Sequence, residues 1–356
     1  MESMTMMKKV LTTLGASALL LNTGAAFGAE ELSVVGSWSG LPLHKQYEAP
    51  FWQDQVSKAT DGEIMAKITT HDQMGIAGSD VYRMLSNGVF DVGMTVADYA
   101  VSDSVALESL DVPMLAMDAG TAKKMVDAAR PMVDEIYAKV FNSKVLGIAP
   151  YPPQVVFCNA EINSLSDLKG KKIRASGRMT AKLLDALGAE SVNVSFGEVS
   201  GALQRGVVDC AVTGAGSGYS AGWWEVSTHL LPIPLGGWDP VVTAINMDKW
   251  KSLSATAQQK LQSAVTTGLE APAWESAQAA LQNDIACLTG KGECGSGESR
   301  NMTLVEASPA DIKMARDVLI TEVLPDWAER AGGDWAERWN NSVGKVVGVE
   351  ITQIGK

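Results

Sequence analysis

Strand-like runs and amphipathic helical patterns alternate along this chain, and that alternation restricts its fold more than any other feature. After Glu31, Leu32-Ser-Val-Val-Gly-Ser-Trp38 reads as a strand running into a loop, and Tyr47 to Ala59 sets Phe51, Trp52, Val56 and Ala59 on one side of a helix. Glu63 to Thr70 alternates as a second strand. Ser79, a good N-cap, opens a short helix to Asn87, Gly88 ends it, and Val89 to Thr95 forms a third strand. Strand, helix, strand at this spacing implies parallel pairing through crossover helices.

A second series begins near Lys144-Val-Leu-Gly-Ile-Ala-Pro-Tyr151. It continues through the strand-like runs Gln154 to Asn159, Lys171 to Arg174 and Val207 to Thr213, with a helix from Met179 to Leu187. Thr121 to Phe141 reads as a helical connector between the series. Val241 to Asn246 reads as a late strand that is free to return to the first unit, followed by helix from Ser254 to Ala279. The simplest architecture is two α/β lobes joined at a waist: 30–150 plus about 241–280, and 151–240 plus about 281–345, after a leader at 1–29. Such lobes place ligands at the carboxyl ends of their strands, facing the gap. Pro309 to Trp339 is helical, with Trp327, Trp335 and Trp339 as packing anchors.

The N-terminus supports export. Lys8-Lys9, the charge-free run Val10 to Phe27 and the small residues Ala25, Ala26, Gly28 and Ala29 follow the order of a secretory signal peptide, and Leu14 to Leu21 is too short for a membrane span. The expected location is periplasmic. The 356-residue chain has a formal charge of −12; the first 28 residues contribute Glu2, Lys8 and Lys9, a net of +1, leaving −13 on the remainder. That acidity argues against nucleic acid, whose phosphates need a basic patch. A small anionic ligand is still allowed, because one local arginine can outweigh a distant net charge.

An oxidising compartment makes disulfides available to the four cysteines. Cys287 and Cys294 flank a Gly-containing loop and are the favoured pair; Cys158 and Cys210 are then either a second bridge or two buried thiols. No metal site is expected: CxxC is absent, and His44, His71 and His229 lack ligand spacing. Neither G-x-S-x-G nor a phosphate loop occurs, so no cofactor and no enzymatic activity are expected. A secreted hydrolase is a minor alternative, and a sensor with the same fold is a second.

An ordered series of motifs favours a ligand-binding protein over a hydrolase and leaves transport and sensing both open. Asp167-Leu-Lys-Gly-Lys-Lys-Ile-Arg-Ala-Ser176, Leu183-Leu-Asp-Ala-Leu-Gly-Ala189 and Val194-Ser-Phe-Gly-Glu-Val-Ser-Gly-Ala-Leu-Gln-Arg-Gly-Val-Val-Asp209 occur in order. They are joined by Thr60 to Ile64, Asp72 to Gly75, Leu85 to Gly93 and Trp250 to Ser254. This set resembles the solute-binding proteins of tripartite ATP-independent periplasmic (TRAP) transporters, of the dicarboxylate-binding type.

The resemblance implies a two-lobed periplasmic binding protein fold of type II-like lobes, with a hinge, a connecting helix and C-terminal helices. It also implies closure on a small organic acid and delivery to a membrane permease, with the protein a monomer or a homodimer. It places Arg174 on the ligand carboxylate, Phe196 on an aromatic wall and Thr213 at a polar position. In the first lobe it brings Trp38, Thr95, Asp98 and Tyr99 to the cleft.

Independently, a guanidinium at a strand end grips a carboxylate through two parallel charge-assisted bonds. Arg178, four residues on, meets either a second acidic group or solvent. Gln154 stands where dicarboxylate binders often carry another base, which disfavours a dicarboxylate or sugar acid. His44, in the loop after Trp38, is a further candidate contact. Trp38, Tyr99, Phe196, Trp223 and Trp238 together suit a carboxylate with an apolar or aromatic body, or a compact zwitterion, although adjacent side chains at Trp223 and Trp224 cannot both face it.

Overall fold

A computed structural model describes residues 29–295 and 297–352. The expected leader, apart from Ala29, lies outside the described residues. Four strands, β1 (Glu30–Gly36), β2 (Ile64–Thr70), β3 (Val92–Val96) and β4 (Ser143–Ala149), come first. They are followed by β5 (Gln154–Cys158), β6 (Lys172–Ala175), β7 (Glu190–Asn193), β8 (Cys210–Gly214), β9 (His229–Leu231), β10 (Val241–Asn246) and β11 (Thr303–Leu304). One sheet has the order β2-β1-β3-β10-β4 and the other β11-β9-β5-β8-β6-β7. Each is the centre of one lobe of a two-lobed α/β fold.

The alternation rule holds within each series: β1 pairs in parallel with β2 and β3, and β6 with β7 and β8. It fails where the chain arrives from the other lobe. There β10 runs antiparallel between β3 and β4, and β5 runs antiparallel between β8 and β9. No crossover helix precedes either strand on its own sheet, so nothing imposes the parallel direction.

Local departures from the sequence expectation have local causes. Tyr47 to Ala59 is helical as expected, in a run that starts at Pro42, but it is widened at His44–Glu48 and Phe51–Gln55 on either side of Pro50, which has no N–H to donate. The third strand starts at Val92 rather than Val89, because the Asp91 carboxylate is held by the N–H and hydroxyl of Ser33. The long C-terminal helix is interrupted by a wide turn at Thr266–Glu270 and resumes as Ala271–Thr289.

Two chain crossings run side by side between the lobes. Residues 150–153 join β4 to β5, and residues 232–240 join β9 to β10. Tyr151 N donates to Trp238 O at 3.0 Å and Gln154 N to Gly237 O at 3.1 Å, so the crossings support each other. Helix Ala271–Thr289 is anchored to the first sheet by Trp274 Nε1, which donates to Ile148 O at 2.8 Å; its far end buries Cys287 and Leu288. Both disulfides are present: Cys158–Cys210 staples register partners on β5 and β8, and Cys287–Cys294 closes the end of the long helix. The C-terminal anchors pack as expected, with Trp327 and Trp339 fully buried and Arg330 forking both oxygens of buried Glu108 at 2.6 Å.

Candidate functional site

Arg174 sits third in β6, between β7 and β8, and is 4% exposed. Its Nε donates to Val194 O at 3.0 Å and its Nη1 to Val212 O at 2.7 Å, so two strand-end carbonyls aim the guanidinium. Nη2 has no acceptor and the group makes no ion pair among the described residues. Burial lowers its pKa, while neighbouring Tyr99 and Asp239 raise it. An arginine stays cationic at neutral pH, so this is a buried cation aimed and left without an anion.

Aromatic rings from both lobes meet beside it. Trp38, in the loop after β1, lies 5.3 Å from Phe196 between ring centroids and 4.6 Å edge-on from His71. Phe196 continues onto Trp223 at 5.5 Å, and Trp223 onto Phe157 at 5.5 Å. Trp223 is fully buried, so it backs the wall rather than facing the gap. Tyr99 accepts a hydrogen bond from the Trp38 indole, and burial pushes its phenol up to about 12. Thr95 is buried with Oγ1 unpaired, and any Cβ at Gly78 would collide with the Tyr99 ring, so that glycine is required by close approach.

Four expected residues hold other positions. Trp238 packs on Trp274 and donates Nε1 to Ala116 O at 3.0 Å; no ring contact joins it to Trp38, Phe196 or Trp223. Gln154 is fully buried with Nε2 on Asp111 Oδ2 at 3.1 Å. His44 Nδ1 donates to Glu48 Oε2 at 2.9 Å, an oxygen that also takes the Ser37 N–H, so His44 braces the loop carrying Trp38. The Arg178 side chain is exposed. Thr213 is buried on β8.

The backbone of Arg178 carries the interaction its side chain does not: its N–H, at the start of helix Arg178–Ala186, donates to the Asp98 carboxylate of the first lobe. Gly177 permits this approach, because a Cβ there would overlap the same carboxylate. Gly177→Val should therefore weaken ligand affinity at least about tenfold, without backbone strain, since φ is −146°. Calorimetry reads the affinity, and an unchanged value removes this contact from ligand capture.

Three carboxyls surround the crossing segments. Burial raises Asp98, with Asp111 and Glu108 adding repulsion; burial pushes Asp111 up to about 6; and burial followed by repulsion from Asp111 raises Asp239. Asp111, Asp239 and His71 were not among the expected site residues. Asp239 directly follows Trp238 in sequence, whereas nothing in sequence spacing places Asp111 against Gln154. A separate groove of about 520 Å³ opens beside the chain crossings, lined by Tyr47, Tyr151, Ser217, Ala280 and Asp284, and does not include Arg174. Among the described residues, no cluster suits a metal and no helix is long and apolar enough to cross a membrane.

The chain is similar to known proteins in sequence and in fold. Over 267 residues the chain is 25% identical to the ectoine-binding periplasmic protein TeaA of Halomonas elongata, covering 72% of this chain and 75% of that protein. It is 22% identical over 326 residues to the C4-dicarboxylate-binding periplasmic protein DctP of Rhodobacter capsulatus, covering 90% and 93%. In fold it superposes on DctP7, a Bordetella pertussis extracytoplasmic solute receptor binding pyroglutamic acid, with a TM-score of 0.76 at 22% identity, covering 88% of this chain and 99% of that one. A TRAP periplasmic solute binding protein from Desulfovibrio salexigens with bound orotic acid gives 0.77 at 18% identity, covering 89% and 99%. Residues 39–321 match the family described as bacterial extracellular solute-binding protein, family 7. The chain belongs to that family, the solute-binding receptors of TRAP transporters, which bind their ligands and do not transform them.

Proposed function

We propose that this protein captures a small organic carboxylate with a compact, ring-like or apolar body, and that its lobes close around it for delivery to a membrane permease. Arg174 carries the reading: a guanidinium 4% exposed, aimed by two carbonyls and without an ion pair among the described residues, supports a ligand carboxylate as its missing partner. The tilted Trp38–Phe196 pair supports a flat or compact body between the lobes. A second carboxylate is disfavoured, since the groups opposite are Asp98, Asp111 and Asp239 rather than another base. The leader-like N-terminus supports a periplasmic location, and a monomer or a homodimer is compatible with the reading.

The test is a thermal-shift screen of ring monocarboxylates, dicarboxylates and sulfonates, run in parallel on Arg174→Ala. Monocarboxylates should stabilise the parent chain and leave the variant unmoved. Equal stabilisation of both would remove the anchoring role.

Closure should also depend on pH. We read the described arrangement, in which Asp98 reaches across to the Arg178 N–H, as the closed one; in it Asp98, Asp111 and Asp239 have raised pKa values, facing one another, Glu108, Arg330, Tyr99 and Arg174. Groups of this kind favour closure below their ordinary carboxylate range, and the contribution is lost as pH rises through about 6 for Asp111. The radius of gyration of the ligand-free protein should be smaller at pH 4.5 than at pH 8. A flat profile by X-ray scattering rules out this linkage.

A further inference from the structure

The geometry points to a ligand that carries a protonated nitrogen beside its carboxylate, with Asp239 as the residue that receives it. This deepens the proposed function and rests on it: Arg174 takes the negative end of a small zwitterion, and Asp239 the positive end.

The three cleft carboxyls are not equivalent. Asp98 accepts the backbone N–H of Arg178. Asp111 accepts the Asp239 N–H at 2.7 Å, the Gly237 N–H, and Gln154 Nε2 at 3.1 Å. Asp239 alone accepts no hydrogen bond from the described residues. It lies on the second chain crossing, half-buried, where both lobes meet.

Its relation to Arg174 is informative. Each group feels the other's charge, as does Tyr99, yet no ion pair joins them within 4.0 Å. A buried cation with an unused Nη2 and a carboxyl group without a donor therefore lie within electrostatic reach of each other without pairing. Had Asp239 been the structural counterion of Arg174, the two would pair directly, since each otherwise leaves polar atoms unsatisfied.

The backbone agrees. Asp239 has φ of 45°, in the left-handed region that Asp and Asn tolerate better than other non-glycine residues, and it precedes Pro240, so the turn of the second crossing fixes where its side chain starts. Burial and the Asp111 charge raise the Asp239 pKa in the empty cleft, a penalty that an N–H-bearing cation would reverse. The same cation would lie beside the Trp38 and Phe196 rings, whose faces favour positive charge.

Matched ring pairs test this: L-proline against cyclopentanecarboxylate, and pipecolate against cyclohexanecarboxylate, titrated by calorimetry into the full chain. Members of each pair share ring size and carboxylate and differ in the ring nitrogen. The nitrogen-bearing member should bind at least about tenfold tighter. Asp239→Asn should erase that preference while leaving the ligand-free melting temperature unchanged, since asparagine also tolerates positive φ. If the carbocyclic acids bind as well as the amino acids, or if the preference survives Asp239→Asn, the inference is overturned and the carboxylate reading stands. If neither member of either pair binds and Arg174→Ala matches the parent across all carboxylates, both fall together.

Discussion

Replacing Arg174 by alanine should reduce affinity for a carboxylate ligand by roughly thirtyfold to a few thousandfold, because removing one partner of a buried, hydrogen-bonded charge pair costs about 2–5 kcal/mol and each 1.4 kcal/mol is tenfold. The guanidinium is 4% exposed, so bound carboxylate and arginine meet with little competition from water. Lysine at this position keeps the charge and loses the fork: it cannot donate at once to Val194 O, Val212 O and the ligand as Nε, Nη1 and Nη2 do. Arg174→Lys should therefore fall between parent and alanine. Alanine also leaves two strand-end carbonyls without their donor, at about 1–3 kcal/mol each, partly offset because a desolvated cation has been removed. The readout is accordingly the ligand-induced shift in melting temperature, each variant compared with its own ligand-free state. A lysine variant as inert as alanine would mean that the bidentate geometry, not the charge, dominates; an alanine variant that binds normally would sink the anchor.

The second large effect concerns the cross-strand disulfide. Cys158–Cys210 closes a loop with a sequence separation of 52, whereas Cys287–Cys294 closes one of 7. Restriction of the unfolded chain grows with loop length, to about 4 kcal/mol for the first and about 2.5 kcal/mol for the second. Paired alanine substitutions are the cleaner test, since both Cys158 and Cys210 are fully buried and serine would add an unsatisfied hydroxyl. Urea titration should give the lower midpoint for Cys158→Ala/Cys210→Ala. The reverse order would show that the short loop protects the end of the long helix by more than chain restriction. The long-loop pair also bears on the site: Val212, which orients Arg174, lies two residues beyond Cys210 on β8. Ligand affinity measured well below the unfolding temperature should change little, because β5, β6 and β9 still hold β8 and its neighbours in register.

Much of the fold was legible because periodicity and punctuation are local. Val241–Asn246 was read at its observed bounds, and the helix at 179–187 is displaced by one residue from Arg178–Ala186. The misreadings occurred where a distant partner competes with local preference. Asp91, held by Ser33, delays β3, and the antiparallel direction of β10 follows from its entry out of the other lobe. Among the site residues, Arg174, Trp38, Phe196, Tyr99 and Thr95 are brought to one cleft. Trp238, Gln154 and His44 went instead into the chain crossings and the loop supports, since burial and hydrogen bonding there are settled by segments far away in sequence.

By itself the sequence determined the alternation of elements, the two-lobe organisation, the favoured short-loop disulfide and the arginine at a strand end. Each depends on residues within a turn or two of one another, or on an ordered set of motifs. Only the tertiary structure decided what stands opposite that arginine. Asp98 reaches across to the backbone of Arg178, Asp111 is tied to the Asp239 N–H and Gln154, and Asp239 is left without a donor. Those three acids are separated in sequence by as much as the distance from β3 to β10, and they meet because two antiparallel chain crossings bring the lobes together. Charge acts through space, and no local pattern records which carboxylate a buried guanidinium will face.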